Sequence, residues 1–260
     1  MPCVDFFKAT IDILWSIVGV AITVAASLLH QPSGFVETSA PTPAVVLASL
    51  MQAPQIDDLV AKLAAANPAD RVIAACELQR LGSDARRAIP SLIDRLADGS
   101  PVDPTVCGTD RYWWSKDIDR QTTPGEEAAA ALVAIGTDSL APLTMAARAP
   151  QWIARRNSVW ALGSLHDRRA IPPALMALAD REPPVRRVAA WALGALRADD
   201  AVPALIDALE DQDADVRAQV AWALGAIGDR RATGALAGLL KDTSARVRKQ
   251  AAWALGAIGR

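Results

Sequence analysis

From Gln151 onward the apolar positions recur with a helical period, and whole blocks of that pattern then recur in turn. Val216, Val220, Leu224 and Ile227 follow at steps of four, four and three, one face of an α-helix. Gly228 comes next, where a left-handed C-terminal cap favours glycine. Asp229-Arg230-Arg231 marks a polar turn, and Ala232, Leu236, Leu239 and Leu240 predict a second, shorter helix ending near Lys241-Asp242. The preceding block repeats the scheme with Val185, Leu193 and Leu196, then Val202, Leu205 and Leu209, and Pro184 sits where a helix begins. Trp160, Trp191, Trp222 and Trp253 each open a Trp-Ala-Leu-Gly run, 31 residues apart. A fixed period of that size means stacked two-helix units. No single unit can bury its apolar stripe alone, so neighbours must pile up.

Upstream the same reading is looser. Residues 44–66 predict a helix pair broken at Pro54, with Val45, Val46, Leu47 and Leu50 on one side and Ile56, Leu59, Val60 and Leu63 on the other. Residues 69–98 predict a second pair, Val72, Ile73, Leu78 and Leu81 before Gly82, then Ile89, Leu92, Ile93 and Leu96. Gly99 to Gly125 carries no apolar period and holds Pro101, Pro104, Gly108 and Pro124, an irregular insertion. The repeats resume at Glu126, with Ala131, Leu132 and Ile135 before Gly136. After Ile258 no second helix follows, which predicts that an apolar flank of Val247, Leu255 and Ile258 is covered by a partner or another copy, or that the chain is part of something longer.

Residues 1–30 hold an uncharged apolar run at 13–29, near the lower length limit for a bilayer span of roughly 17 residues. Three readings stay open for it: a signal-anchor, a cleaved secretory signal with small residues at Val24-Ala25-Ala26-Ser27, or an apolar helix packed on the repeats. Residues 31–43, with Pro32, Gly34, Pro41 and Pro43 among Ser and Thr, read as a linker. The repeats occupy 44–260. The expectation is a membrane-anchored or exported protein, the side of the membrane left open.

Composition narrows function mainly by exclusion. The 260 residues carry a formal charge of −2, without the basic stripe of a nucleic-acid binder, so no nucleic-acid partner is expected. Cys3, Cys76 and Cys107 form no CxxC and no disulfide framework, and Cys76 reads as a small buried thiol on a helix. Cys107 alone cannot hold zinc, and Asp103, Asp110, Asp117 and Asp119 do not match a calcium loop. With only His30 and His166, and Glu126-Glu127 suited to a helix N-terminus, no catalytic, cofactor or metal constellation is expected.

The run Val-Arg-x-x-x-Ala-Trp-Ala-Leu-Gly-Ala-Ile, at Val216 to Ile227 and Val247 to Ile258, resembles the HEAT repeat in its short form named after phycobilisome lyases. The resemblance is specific over 150–260 and weaker over 44–149. It implies an all-α, right-handed α-solenoid of helix pairs, here preceded by an N-terminal apolar helix. It further implies that Arg155, Arg186, Arg217 and Arg248 bridge adjacent units in a ladder with Asp180, Asp211 and Asp242, which share their register. The His-Glu iron pairs of HEAT-like hydroxylases are missing, as is the His-Glu-x-x-His of the membrane peptidases that carry similar arrays.

Two sets of residues are candidate binding sites. A helical wheel turns Trp160, Trp191, Trp222 and Trp253 away from their own pairs, so they either fill Ala- and Gly-lined grooves between units or form an exposed aromatic ridge. Gly163, Gly194, Gly225 and Gly256 each cost about 1 kcal/mol in a helix, which a close neighbour must offset. In the insertion, Tyr112, Trp113 and Trp114 flanked by Arg111 and Lys116 are the residue types of interface hot spots, or else they plug a gap between units. The expected function is a non-enzymatic protein-binding scaffold with an unidentified protein partner and membrane association through 13–29. The alternative is an accessory, chaperone or regulatory module of a larger enzyme system.

Overall fold

The computed structural model describes residues 56–107 and 121–259, apart from the side chain of Pro104. The apolar run at 13–29, the linker, the first predicted helix of 44–54 and the cluster Arg111, Tyr112, Trp113, Trp114 and Lys116 lie outside the described residues. The chain divides into Met1–Gln52 and Ala53–Arg260, and all the described residues belong to the second unit.

That unit is an α-solenoid of helix pairs. A short α1, Ile56–Lys62, precedes the long first helices: α2 Pro68–Leu81, α4 Pro124–Ile135, α6 Trp152–Ser164, α8 Pro183–Ala195, α10 Ala214–Ile227 and α12 Ala245–Ile258. The second helices are short: α3 Ile89–Arg95, α5 Leu140–Ala146, α7 Ile171–Ala177, α9 Val202–Asp207 and α11 Thr233–Gly238. Each first helix packs on the next first helix along the array. Among the described residues the one extended pairing is an isolated bridge between Val102 and Thr122.

The sequence dictates where these helices start. Proline stands in the first turn of α2, α3, α4, α7, α8 and α9, where a missing N–H costs nothing. Asn67, Thr123 and Asp213 accept N-terminal backbone N–H groups through their side chains. One core runs the length of the array. Its spine is Leu78, Leu132, Leu162, Leu193 and Leu224, one from each of α2, α4, α6, α8 and α10 and none exposed, facing Leu92, Leu143, Leu205 and Leu236 from the second helices. Burying each such leucine contributes on the order of 2 kcal/mol.

Val247 and Ile258 also belong to this buried set, at 0% and 7% exposure, and Leu255 packs partly against the core. This corrects the expectation of an uncovered apolar flank on α12. Those side chains face back onto the preceding unit, and the large apolar residue that α12 exposes is Trp253, at 44%.

First helices end on a left-handed residue in several units. Gly82, Gly136 and Gly228 supply it at no steric cost, but His166 and Arg197 adopt φ of 52° and 48° with a Cβ in the way. Arg197 stands 31 residues before Gly228 and is exposed. Arg197→Gly is therefore expected to stabilise the fold by about 1 kcal/mol, raising the thermal midpoint by roughly 2–4 °C. An unchanged or lower midpoint in calorimetry would count against strain at this cap.

The insertion leaves the array after α3 and returns at α4. Val102 and Thr122 exchange both backbone N–H···O bonds at 2.8 Å, closing its base. A 3-10 turn at Pro104–Cys107 then lays Cys107 against α2, where Cys76 and Cys107 form a disulfide with their Cα atoms 6.2 Å apart. The sequence reading of Cys76 as a lone buried thiol is thus overturned. The pairing depends on the insertion folding back, which no spacing rule reports.

Candidate functional site

An arginine runs along one edge of the solenoid in most units. Arg186 Nε and Nη2 donate to Asp211 at 2.6 and 2.9 Å, while Nη1 donates to the carbonyls of Asp180 and Arg181. Arg155 and Arg217 repeat this, with Asp180 and with Asp242. Each guanidinium therefore ties the end of its own second helix to the end of the preceding one. The aspartates also accept the backbone N–H two residues on, Glu182, Asp213 and Ser244. Arg248 keeps the two carbonyl bonds, to Asp242 and Thr243.

A further rung stands upstream of the insertion. Arg71 Nε donates to Asp98 at 2.8 Å, and its Nη1 to the carbonyls of Ala65 and Ala66. Sequence register missed it because the turn Gly82–Ala88 is longer than the three-residue turns of later units, so the pair falls out of step. At α4 the rung is gone. Gly125 holds the arginine's place and donates its own N–H to the Asp98 carbonyl at 3.0 Å, and Asn157 Nδ2 takes the Leu96 carbonyl at 2.9 Å. A Cβ at Gly125 would lie 2.7 Å from the Leu96 oxygen and 2.9 Å from that of Asp98, so no side chain fits. The insertion therefore re-enters where a close backbone contact replaces the salt bridge.

The ladder carboxyls titrate below their ordinary value near 3.8. The Arg155 hydrogen bond does this for Asp180 and that of Arg217 for Asp242. Burial pushes Asp211 and Asp98 upward, but hydrogen bonds outweigh it, from Arg186 and the Asp213 N–H in the first case and from Ser100 and Arg71 in the second. Since the folded values lie lower, the unfolded chain binds more protons in acid. The stability that the ladder contributes is complete above pH ~4 and is lost as pH falls through the folded values. Urea midpoints should fall below pH 4, and Asp211→Asn should flatten that fall; an equal slope in the variant would refute the assignment.

The tryptophan column runs along the first helices, against the glycines of neighbouring units. Trp191, Trp222 and Trp253 each place Cζ3 over a glycine of the preceding unit: a Cβ built there would be 2.9 Å away at Gly163, 2.8 Å at Gly194 and 2.7 Å at Gly225. Trp160, Trp191 and Trp222 are half-buried. A groove of about 530 Å³ opens beside the column, lined by Trp222, Trp253, Arg197 and the glycines at 194, 225 and 228. Sequence reasoning passed over Trp152, which is 37% exposed with the Arg156 guanidinium 5.6 Å from its ring centre, and Met145, 78% exposed. Neither sits in the repeated motif.

The insertion's described edges are fastened at several points. Beyond the Val102–Thr122 pair and the disulfide, Glu127 on α4 is fully buried and accepts the Thr122 hydroxyl proton at 2.9 Å. Cys107 does not stand alone, contrary to the sequence expectation: Cys76, Cys107 and Glu127 hold their sulfurs and a carboxylate oxygen within 4.8 Å of one another.

Residues 140–213 and 202–260 match the family model for HEAT repeats. The segment 140–260 is a HEAT-repeat array. Among solved structures, Kap95p bound to RanGDP is similar over 84% of this chain and 32% of that one, at 15% identity and a TM-score of 0.61. Importin β is similar over 78% and 31%, at 15% identity and a TM-score of 0.55. This chain thus spans about a third of those proteins. The CpcE–CpcF complex of phycocyanin lyase from Nostoc sp. PCC7120 aligns over 88% of this chain and 82% of that one, at 22% identity and a TM-score of 0.49. These likenesses concern the HEAT fold. No curated protein matches the chain in sequence.

Proposed function

We propose that this HEAT-repeat chain is a non-enzymatic scaffold that captures a protein partner through its insertion, from an exported or membrane-tethered position. The observation that carries this reading is the insertion's fastened base. The bridge between Val102 and Thr122 and the Cys76–Cys107 disulfide hold both ends of the stretch containing Arg111, Tyr112, Trp113, Trp114 and Lys116. Clamping the ends of a binding segment lowers the ordering cost of association. An aromatic and cationic segment so held is suited to a protein surface, because Tyr, Trp and Arg dominate interface energetics. Kap95p, similar in fold, binds RanGDP and Nup1, which supports a protein as the partner class.

The apolar run at 13–29 supports the tether, and the disulfide supports an oxidising compartment, where such bonds persist. No described helix is long and apolar enough to cross a membrane. The test is a pull-down from detergent-solubilised membranes with the chain and with a variant carrying Arg111→Ala, Tyr112→Ala, Trp113→Ala and Trp114→Ala. The variant should keep its thermal midpoint and lose the partner. Capture of the same partner at the same yield would sink the reading.

A further inference from the structure

Along the second helices one unit interface differs from the rest. A cavity of about 200 Å³ opens between the end of α5 and α7, against the Arg155–Asp180 rung. Ala147, Pro173 and Ala177 give it apolar walls, and Arg148 and Met176 line it from exposed positions. Arg148 Nη2 donates to Met176 Sδ at 3.2 Å. A thioether is a weak acceptor, and among the described residues no carboxylate pairs with Arg148. Asp180 is already paired, since its two oxygens accept from Arg155 at 2.6 and 2.8 Å. The charges of that rung cancel, and Arg148 leaves the cavity with a net positive charge. Met176 is 56% exposed, and Met145, three residues before Arg148, is 78% exposed. In the same register the other units carry Ala97, Ala179, Glu210 and Lys241 in place of Arg148, and Asp94, Asp207 and Gly238 in place of the two methionines. None of these residues is buried, so packing of the array dictates neither the arginine nor the methionines.

We propose that this cavity binds the C-terminal residue of a peptide or protein partner, an aliphatic residue with a free carboxylate. The carboxylate takes the Arg148 guanidinium, which gains a charged acceptor where it now has a sulfur. Charge-assisted bonds of this kind are roughly twice as strong as neutral ones. The aliphatic side chain lies against Pro173, Ala177 and Met176, and methionine's unbranched, polarisable chain adapts to varied apolar groups. The chain-terminal class follows from spacing. The cation and the thioether touch, so the ligand must present its charge and its apolar group side by side. A terminal aliphatic residue carries both on one Cα. An internal glutamate holds its carboxylate at the end of a bare methylene stem, with no apolar group beside it. A dianionic phosphate is ill matched to a single unpaired guanidinium among apolar walls. The site uses no residue of the insertion, so it goes beyond the function proposed above and is tested apart from it.

The test passes pooled hexapeptides, randomised except for a final Leu, Ile, Val or Met, over the immobilised full chain in detergent. One pool has free C-terminal carboxylates and a second has C-terminal amides. A third has amidated ends and a fixed internal Glu. Bound peptide is quantified by mass spectrometry. The free-acid pool should be retained about tenfold or more over both amide pools, since losing a charged hydrogen bond costs about that factor. Arg148→Gln should remove the preference, and Met176→Ala should weaken retention of the free acids several-fold. Both variants should keep the parent's thermal midpoint, because the two side chains are exposed. Arg168→Gln alters another exposed cation, 62% accessible, and should retain the free acids as the parent does. The four-alanine insertion variant should do the same, so failure of the insertion as a binding segment leaves this result untouched. Equal retention of acid and amide, retention of the internal-Glu pool at the free-acid level, or a preference that survives Arg148→Gln overturns the inference.

Discussion

Asp211→Ala is expected to lower the free energy of unfolding by about 3 kcal/mol, the cost of leaving a buried cation without its partner. For a chain of this size that is a fall of roughly 6–12 °C in thermal midpoint. The size follows from geometry. Asp211 and Arg186 keep 10% and 16% of their side chains exposed, their bond is bidentate at 2.6 and 2.9 Å, and Asp211 also receives the Asp213 N–H at 2.8 Å. Removing the carboxylate strands the guanidinium among the Asp180 and Arg181 carbonyls and releases a turn that starts α10. The contrast is Arg168–Asp200, whose groups are 62% and 84% exposed at 3.8 Å; Asp200→Ala should cost under about 0.5 kcal/mol. Combining Asp211→Ala with Arg186→Ala should be less damaging than the two losses added, because the second change removes the stranded charge. Equal effects of Asp211→Ala and Asp200→Ala in urea denaturation would refute the ladder's structural weight.

The ladder also shows what could be read from the chain and what could not. Residues 150–260 repeat without insertion, so one register aligns every apolar stripe, every cap position and every Arg–Asp pair, and local periodicity suffices. Upstream the register slips. Arg71 and Asp98 make the same bridge, but the longer turn at Gly82–Ala88 displaces them, so counting by 31 fails while the physics is unchanged. The Cys76–Cys107 contact failed for another reason. It is made by irregular backbone, whose path depends on non-local contacts such as the Val102–Thr122 bridge and the Gly125 N–H bond to Asp98. Periodic patterns report which face of an element is buried; they carry no information about where an aperiodic segment returns. The candidate site sits on that segment, and for this reason the fold was far more legible than the site.

The same repeat gives an internal control for its glycines, because one side-chain change in one register should have opposite signs in different units. Alanine favours a helix over glycine by about 1 kcal/mol. At Gly194 that gain is overwhelmed: the new Cβ would sit 2.8 Å from Trp222 Cζ3 and 2.9 and 3.1 Å from the Ala223 Cα and Cβ. An indole ring can tilt, but the Ala223 backbone belongs to α10 and moves only if the two helices separate. Overpacking of this kind costs about 1–3 kcal/mol, and here it acts along the whole interface between α8 and α10. Gly194→Ala should therefore destabilise by about 2 kcal/mol, and adding Trp222→Leu should fail to restore stability, since the backbone clash remains. At Gly256 a Cβ meets nothing within 4 Å. Gly256→Ala should leave stability unchanged or raise it by up to about 1 kcal/mol. Thermal and urea unfolding of the pair separates two accounts of the Trp-Ala-Leu-Gly motif. If its glycines exist to admit the next helix, the two variants diverge in sign; if both lose stability alike, close approach is not what holds glycine there.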